Sequence, residues 1–185
     1  MAMDRFGKLV NPQTVVFERL LPGPIERVFD FLWNEDKRKL WFTTGAMPTT
    51  PGEKFQMRWK HSEYSPHKSV PPERMKETDE KGHSGTFTLL AYEPPRRLAY
   101  SFGESKFPPG QASEVEFVLK PEGDQVRLIL THSKVPSRDY ALSVSGGWHS
   151  HLDVLEYQLR GETPPGFWDV WRRTEGVYEK RYSQA

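Results

Sequence analysis

The sequence predicts an α+β fold: a curved antiparallel sheet of about six strands wrapped around one long C-terminal helix, with two short helices after the first strand. Three observations carry this. Apolar and polar residues alternate with period two in one short segment after another. A compact stripe of helical period follows a proline-rich turn near the start. One longer helical stripe closes the run of strands.

The first strand spans Thr14–Leu21, with Val15, Phe17 and Leu21 on one parity. Pro22-Gly23-Pro24 stops it, and Pro24 suits the first turn of a helix. Ile25, Val28, Phe29 and Leu32 then recur at i, i+3, i+4 and i+7. A second short helix over Glu35–Leu40 delivers Trp41 and Phe42 into a turn, and Pro48 to Gly52 breaks the chain. Five strands follow. Phe55, Met57 and Trp59 alternate with charged and polar neighbours, and Phe87 and Leu89 share one face. Leu98, Tyr100 and Phe102 repeat the pattern, as do Val115, Phe117 and Leu119, then Val126, Leu128, Leu130 and His132. Glu93-Pro94-Pro95-Arg96 and Pro121-Glu122-Gly123-Asp124 read as hairpin connectors. Such repeated alternation means an antiparallel sheet with one face on a core. Trp148, Leu152, Leu155 and Leu159 at i, i+4, i+7 and i+11 mark a helix of about four turns, capped near Ser145 and ended by Gly161. Its outward face is expected to carry His149, Asp153, Glu156 and Arg160.

The whole chain, 1–185, reads as a single domain with its core at 14–161. Residues 1–12 read as loose. The polar stretch His61–His83 is too long for a hairpin and reads as a surface flap or disordered insert. The extension 162–185 holds Phe167, Trp168, Val170, Trp171, Val177, Tyr178 and Tyr182, too aromatic for a solvated tail. It is expected to form a short helix docked on the domain or on a second subunit.

Composition limits the function. The 26 basic and 25 acidic residues give a net charge of +1, so no global field draws in nucleic acid or an anionic membrane. In the extension four basic residues face four acidic ones, which removes the case for a basic nucleic-acid patch there. No apolar run approaches the ~20 residues a membrane helix needs, and the N-terminal residues lack the apolar stretch of a secretory signal. Cysteine is absent, which excludes disulfides, thiolate metal sites and cysteine nucleophiles. A cytoplasmic location is the expectation.

Reactive constellations are largely missing. The sequence has no Gly-x-Ser-x-Gly elbow, no phosphate loop, no dinucleotide fingerprint and no His-Glu-x-x-His. His149 and His151 stand two apart on a helix and point to different sides, so they cannot share an ion. His61, His67 and His83 fall in the insert and read as solvated. No metal, cofactor or assigned catalytic residue is therefore expected. What stands out is the excess of large aromatics on the inward parity. They suit a plain core, and they equally suit an apolar cavity with a few polar anchors. Tyr100, His132, Trp148 and His151 could supply those anchors.

Local sequences point the same way. Phe17 to Phe29 resembles the opening strand, proline turn and helix of the START-like, or SRPBCC, superfamily, and Trp41-Phe42 resembles its post-helix turn. Gly85 to Phe102 looks like its strand–proline–strand hairpin. Val115-Glu116-Phe117 and Leu128 to His132 look like its last two strands, and Gly146-Gly147-Trp148 with Leu152, Leu155 and Leu159 looks like its final helix. The likeness covers about residues 14–161 and is greatest to the branch homologous to the activator of heat-shock-protein-90 ATPase (AHSA-like). It implies the helix-grip fold and, more loosely, binding of a small hydrophobic ligand between sheet and helix. The residues expected to line that site are Trp41, Phe55, Met57, Trp59, Phe87, Leu89, Tyr100, Phe102, Phe117, Leu130, His132, Trp148, His151, Leu152 and Leu155. Two other readings stay open: a cyclase- or aromatase-like enzyme in the same cavity, with His132, Tyr100 or His151 moving protons, or a co-chaperone-like module that meets another protein through its outer sheet, its insert or the 162–185 extension.

Overall fold

The structure, a computed structural model, describes residues 4–103 and 111–183. Strands are β1 (Lys8–Asn11), β2 (Thr14–Pro22), β3 (Lys54–Trp59), β4 (His83–Glu93), β5 (Arg97–Phe102), β6 (Ser113–Glu122) and β7 (Gln125–Ser133). Helices are α1 (Ile25–Trp33), α2 (Glu35–Arg38), α3 (Lys76–Lys81), α4 (Arg138–Arg160), α5 (Phe167–Arg172) and α6 (Val177–Tyr182). The strands form one antiparallel sheet in the order β1-β2-β7-β6-β5-β4-β3. This is the helix-grip fold, with α4 lying in the curved sheet.

Period-two alternation sets the inner face. Val15, Phe17 and Leu21 of β2, Leu128 and Leu130 of β7, and Val115, Phe117 and Leu119 of β6 are all buried there. Cross-strand pairs put Phe17 opposite Leu130 and Leu98 opposite Phe117, so apolar rows cross the sheet in register. Ile25, Val28, Phe29 and Leu32 of α1 are buried as its stripe requires. α2 is shorter than expected and ends at Arg38, whose buried guanidinium donates to the carbonyls of Trp33 and Gly45 and to Thr43 Oγ1. That guanidinium fastens the turn carrying Trp41 and Phe42.

Four expectations need correction. The loose N-terminus contains a short edge strand, β1, so the sheet has seven strands. Its Lys8, Leu9 and Asn11 carry too little alternation to read as a strand, and the pairing with β2 forms it.

The long helix starts at Arg138 rather than near Ser145. Ser137 is its cap, with Oγ accepting from the Tyr140 amide, and Gly146 and Gly147 lie inside it.

The insert is folded rather than a free flap. It makes two short 3₁₀ turns and α3, and Tyr64 is buried with its hydroxyl donating to the Phe42 carbonyl.

The outward face of α4 is also covered: His149 and Glu156 are buried and Asp153 is half-buried, leaving Arg160 exposed. The cover is α6 and residues 4–7. Tyr178 Oη lies 2.9 Å from His149 Nδ1 and accepts from the Gly7 amide, and Arg5 pairs with both Asp153 and Glu156. The extension thus docks on its own chain, as two short helices.

Gly45 offers a local test. Its φ is 109°, and a β-carbon there would lie 2.2 Å from the Gln56 carbonyl oxygen. Gly45→Ala is expected to cost about 2 kcal/mol. Thermal unfolding should then show a Tm lower by roughly 4–8 °C; an unchanged Tm would contradict the geometry.

Candidate functional site

The fifteen residues singled out from the sequence converge on the interior between sheet and α4. All are buried except Phe102, which is half-buried. Met57 and Trp59 come from β3, Phe87 and Leu89 from β4, Tyr100 and Phe102 from β5, Phe117 from β6, and Leu130 and His132 from β7. Trp148, His151, Leu152 and Leu155 face them from α4. Trp41 stands at the margin, its Nε1 donating to the Phe31 carbonyl at 2.8 Å.

Aromatic contacts run without a break from one wall to the other. Phe55 meets Phe87 at 5.7 Å between centroids, Phe87 meets Phe102 at 5.7 Å, and Phe102 meets Trp148 at 6.0 Å. Phe42 and Phe117 reach the same indole at 4.9 and 5.8 Å. These rings touch across the interior, and two cavities of about 460 and 440 Å³ lie outside it, beside α4's outer face and beside Gly23-Pro24.

Polar groups gather at one end of this interior, where β3, β5 and β7 finish and β4 and β6 begin. Trp148 Nε1 donates to His132 Nδ1 at 3.0 Å. The ring proton of His132 therefore sits on Nε2, 2.8 Å from Ser113 Oγ, and that hydroxyl donates to the Phe102 carbonyl at 2.9 Å. Both nitrogens of His132 are committed, and burial lowers its pKa to about 3. It is held neutral, bridging helix and sheet. Burial likewise raises the pKa of the Tyr100 phenol, with Arg38 opposing, so that it stays protonated.

His151 differs. Its Nδ1 lies 2.8 Å from the Trp41 carbonyl, which places the proton on Nδ1 and leaves Nε2 as an acceptor. Burial lowers its pKa to about 3. Around it stand Phe42, Tyr64, Phe167 and His61, with ring centroids 4.8–5.5 Å away. His61, expected in solvent, is instead packed on Phe167 and Trp168 at 4.5 and 5.0 Å. Its Nδ1 stands 3.8 Å from the Asp79 carboxylate, beyond hydrogen-bond reach, and burial pushes its pKa well down. His83 stacks on Trp59 at 4.9 Å. The insert and the extension therefore complete a wall that period-two reading of the strands could not supply. Its signal in the sequence was the aromatic content of the extension. Among the described residues no cluster of His, Asp and Glu could hold a metal ion, and no helix is long and apolar enough to cross a membrane.

Comparison with known proteins follows the same lines. The family described as Activator of Hsp90 ATPase homolog 1-like protein matches residues 22–160. The solution structure of the protein encoded by gene BPP1335 from Bordetella parapertussis is 41% identical, covers 96% of this chain and 91% of its own, and superposes with a TM-score of 0.80. CalU16 from Micromonospora echinospora is 20% identical, with 95% and 94% coverage and a TM-score of 0.66. A conserved protein of unknown function from Enterococcus faecalis, EF2215, is 16% identical, with 96% and 90% coverage and a TM-score of 0.65. The last two share the fold. No curated protein matches the sequence.

The buried imidazoles make stability depend on pH. His132 and His151 are neutral in the folded chain down to about pH 3 and titrate near 6.5 when unfolded. Between those values the unfolded state binds more protons, so stability is full above about pH 6.5 and is lost as pH falls. Charging either imidazole inside the fold would cost on the order of 5 kcal/mol, a penalty absent at neutral pH and met as pH falls. Tm should begin to fall near pH 6, well before the carboxylates titrate, and His151→Gln should flatten that limb. A Tm that holds steady down to pH 4.5 would refute this reading.

Proposed function

Since the chain belongs to the Activator of Hsp90 ATPase homolog 1-like family, within the START-like superfamily, we propose that it binds a small hydrophobic molecule with aromatic character between sheet and α4. The observation that carries the proposal is His151. It is a buried imidazole whose Nδ1 proton goes to the Trp41 carbonyl, which leaves Nε2 as an acceptor amid the rings of Phe42, Tyr64 and Phe167. An acceptor in such surroundings needs a donor to offset its lost hydration. A hydroxyl on an aromatic ligand would meet that need, while apolar burial at roughly 25 cal/mol per Å² would give most of the affinity. Because the rings already touch, the ligand enters by displacing side chains at the polar end, where Phe102 is half-buried.

In the alternative enzyme reading His132 is the weaker proton carrier, since both its ring nitrogens are already hydrogen-bonded. The family's printed name concerns activation of an ATPase, which suggests a protein partner. The exposed large apolar residues, Val10, Leu40, Val70 and Leu90, stand on four different segments and give that reading no evident patch among the described residues.

A thermal-shift screen with phenolic and non-phenolic aromatics tests the proposal, backed by native mass spectrometry for a copurified ligand. A binder at a hundredfold excess over its Kd should add about 2.7 kcal/mol, or roughly 5–10 °C. His151→Phe should weaken phenols about tenfold and leave non-phenolic aromatics nearly unchanged. Absence of any shift across the screen would overturn it.

A further inference from the structure

A cavity distinct from the site proposed above, with Phe167 bordering both, lies on the opposite side of α4. It has a volume of about 460 Å³, and its floor is α4 itself at Leu142, Ser143, Gly146 and Gly147. Its walls are Phe167, Trp168 and Trp171 of the extension, closed by Met75 and Tyr178. That volume lies within the usual range for small-molecule sites.

The two floor glycines have different reasons to be there. A β-carbon at Gly146 would lie 3.2 Å from Trp171 Nε1 and 3.3 Å from Thr174 Oγ1, so close approach of the extension accounts for it. A β-carbon at Gly147 would meet nothing within 4 Å. Glycine within a helix is unfavourable relative to alanine, and no packing requires one at this position. What its absent side chain does is keep the cavity open.

Two further features say what fits. Trp168 is 2% exposed, and its Nε1 is a buried donor with no hydrogen-bond partner. A carbonyl oxygen on a ligand would satisfy it once a turn of the indole brings Nε1 to the cavity wall. The charged residues around the cavity are Asp139, Glu175 and Glu179 against Arg74. Arg74 already lies over the Trp171 ring at 5.3 Å. The three carboxylates form no ion pair among the described residues. Asp139 also sits in the first turn of α4 and Glu179 in the first turn of α6, where a carboxylate is favoured, but Glu175 has no such reason to be there. Aromatic walls with an excess of carboxylate suit an organic cation.

We infer that this outer cavity is a binding site for a small aromatic amine that carries a carbonyl oxygen. The ring lies against Trp168 and Trp171, the ammonium faces Glu175 and Glu179, and the carbonyl accepts from Trp168 Nε1. The site belongs to the 162–185 extension as much as to α4, and the extension lies beyond the residues the family description matches.

The test is an NMR titration of the ¹⁵N-labelled full chain, following the side-chain indole resonances of Trp168 and Trp171. The probes are L-phenylalaninamide, 2-phenylethylamine, 3-phenylpropanamide and 3-phenylpropanoate. Phenylalaninamide should shift both resonances saturably. The amine lacking a carbonyl and the neutral amide should each bind about tenfold more weakly, and the carboxylate should leave both resonances unmoved. Gly147→Leu, which fills the cavity with a better helix former, should abolish the shifts while the remaining spectrum keeps its dispersion. Glu175→Gln with Glu179→Gln should weaken phenylalaninamide about tenfold. Equal binding of all four probes, binding that survives Gly147→Leu, or no shift with phenylalaninamide would each overturn the inference. The Trp148 indole, which faces the inner site, should stay unmoved throughout, so failure here and failure of the inner site are read separately.

Discussion

A 23-residue helix covered on both sides must find a partner for each polar side chain it buries, and the rest of the structure is arranged around that requirement. Toward the sheet, α4 presents Trp148, His151, Leu152 and Leu155. The two polar groups among them are answered by His132 and by the Trp41 carbonyl. Away from the sheet it presents Ser145, His149, Asp153 and Glu156. These are answered by Tyr182, Tyr178, Arg19 and Arg5. The answering groups come from five segments, so the helix gathers distant parts of the chain.

Arg19 shows how tightly this is drawn. It occupies the inward parity of β2 between Phe17 and Leu21 and is almost wholly buried. Burial lowers its pKa, opposed by the Asp153 carboxylate 3.3 Å away. Its Nη1 also donates to the carbonyls of Arg5 and Glu18. Conversely, burial raises the pKa of Asp153, but its hydrogen bond with His149 and the charges of Arg19 and Arg5 outweigh that and hold it down at about 2. Ion pairs of this kind orient segments more than they stabilise them, because desolvation offsets most of the attraction.

The sheet was legible in the sequence because alternation is a local signal: six of seven strands follow from parity alone. β1 was not, because a four-residue edge strand is defined by its neighbour rather than by its own pattern. The inner-face residues were legible for the same reason as the strands. His61, Tyr64 and Asp79 were not, since a polar stretch gives no sign of being folded until Phe167 and Trp168 are seen to pack on it. The outward face of α4 was misread on similar grounds. Charged residues at helical spacing normally mean solvent, and only contacts across the chain reveal a second cover. Arg19 had a readable clue, a charge at an inward parity, that strand patterning alone could not turn into a partner.

The bond from the Gly7 amide to Tyr178 joins residues 171 positions apart, and Arg181 to Asp4 spans 177. Over such long intervals these few bonds form readily only once the intervening chain has folded and brought the two ends together. The outer wrap therefore behaves as its own cooperative unit: it seats after the grip has formed and lifts away before the grip opens. Amide exchange across the molecule would follow two clocks, with α6 and the 4–7 segment on the fast one and the sheet on the slow one.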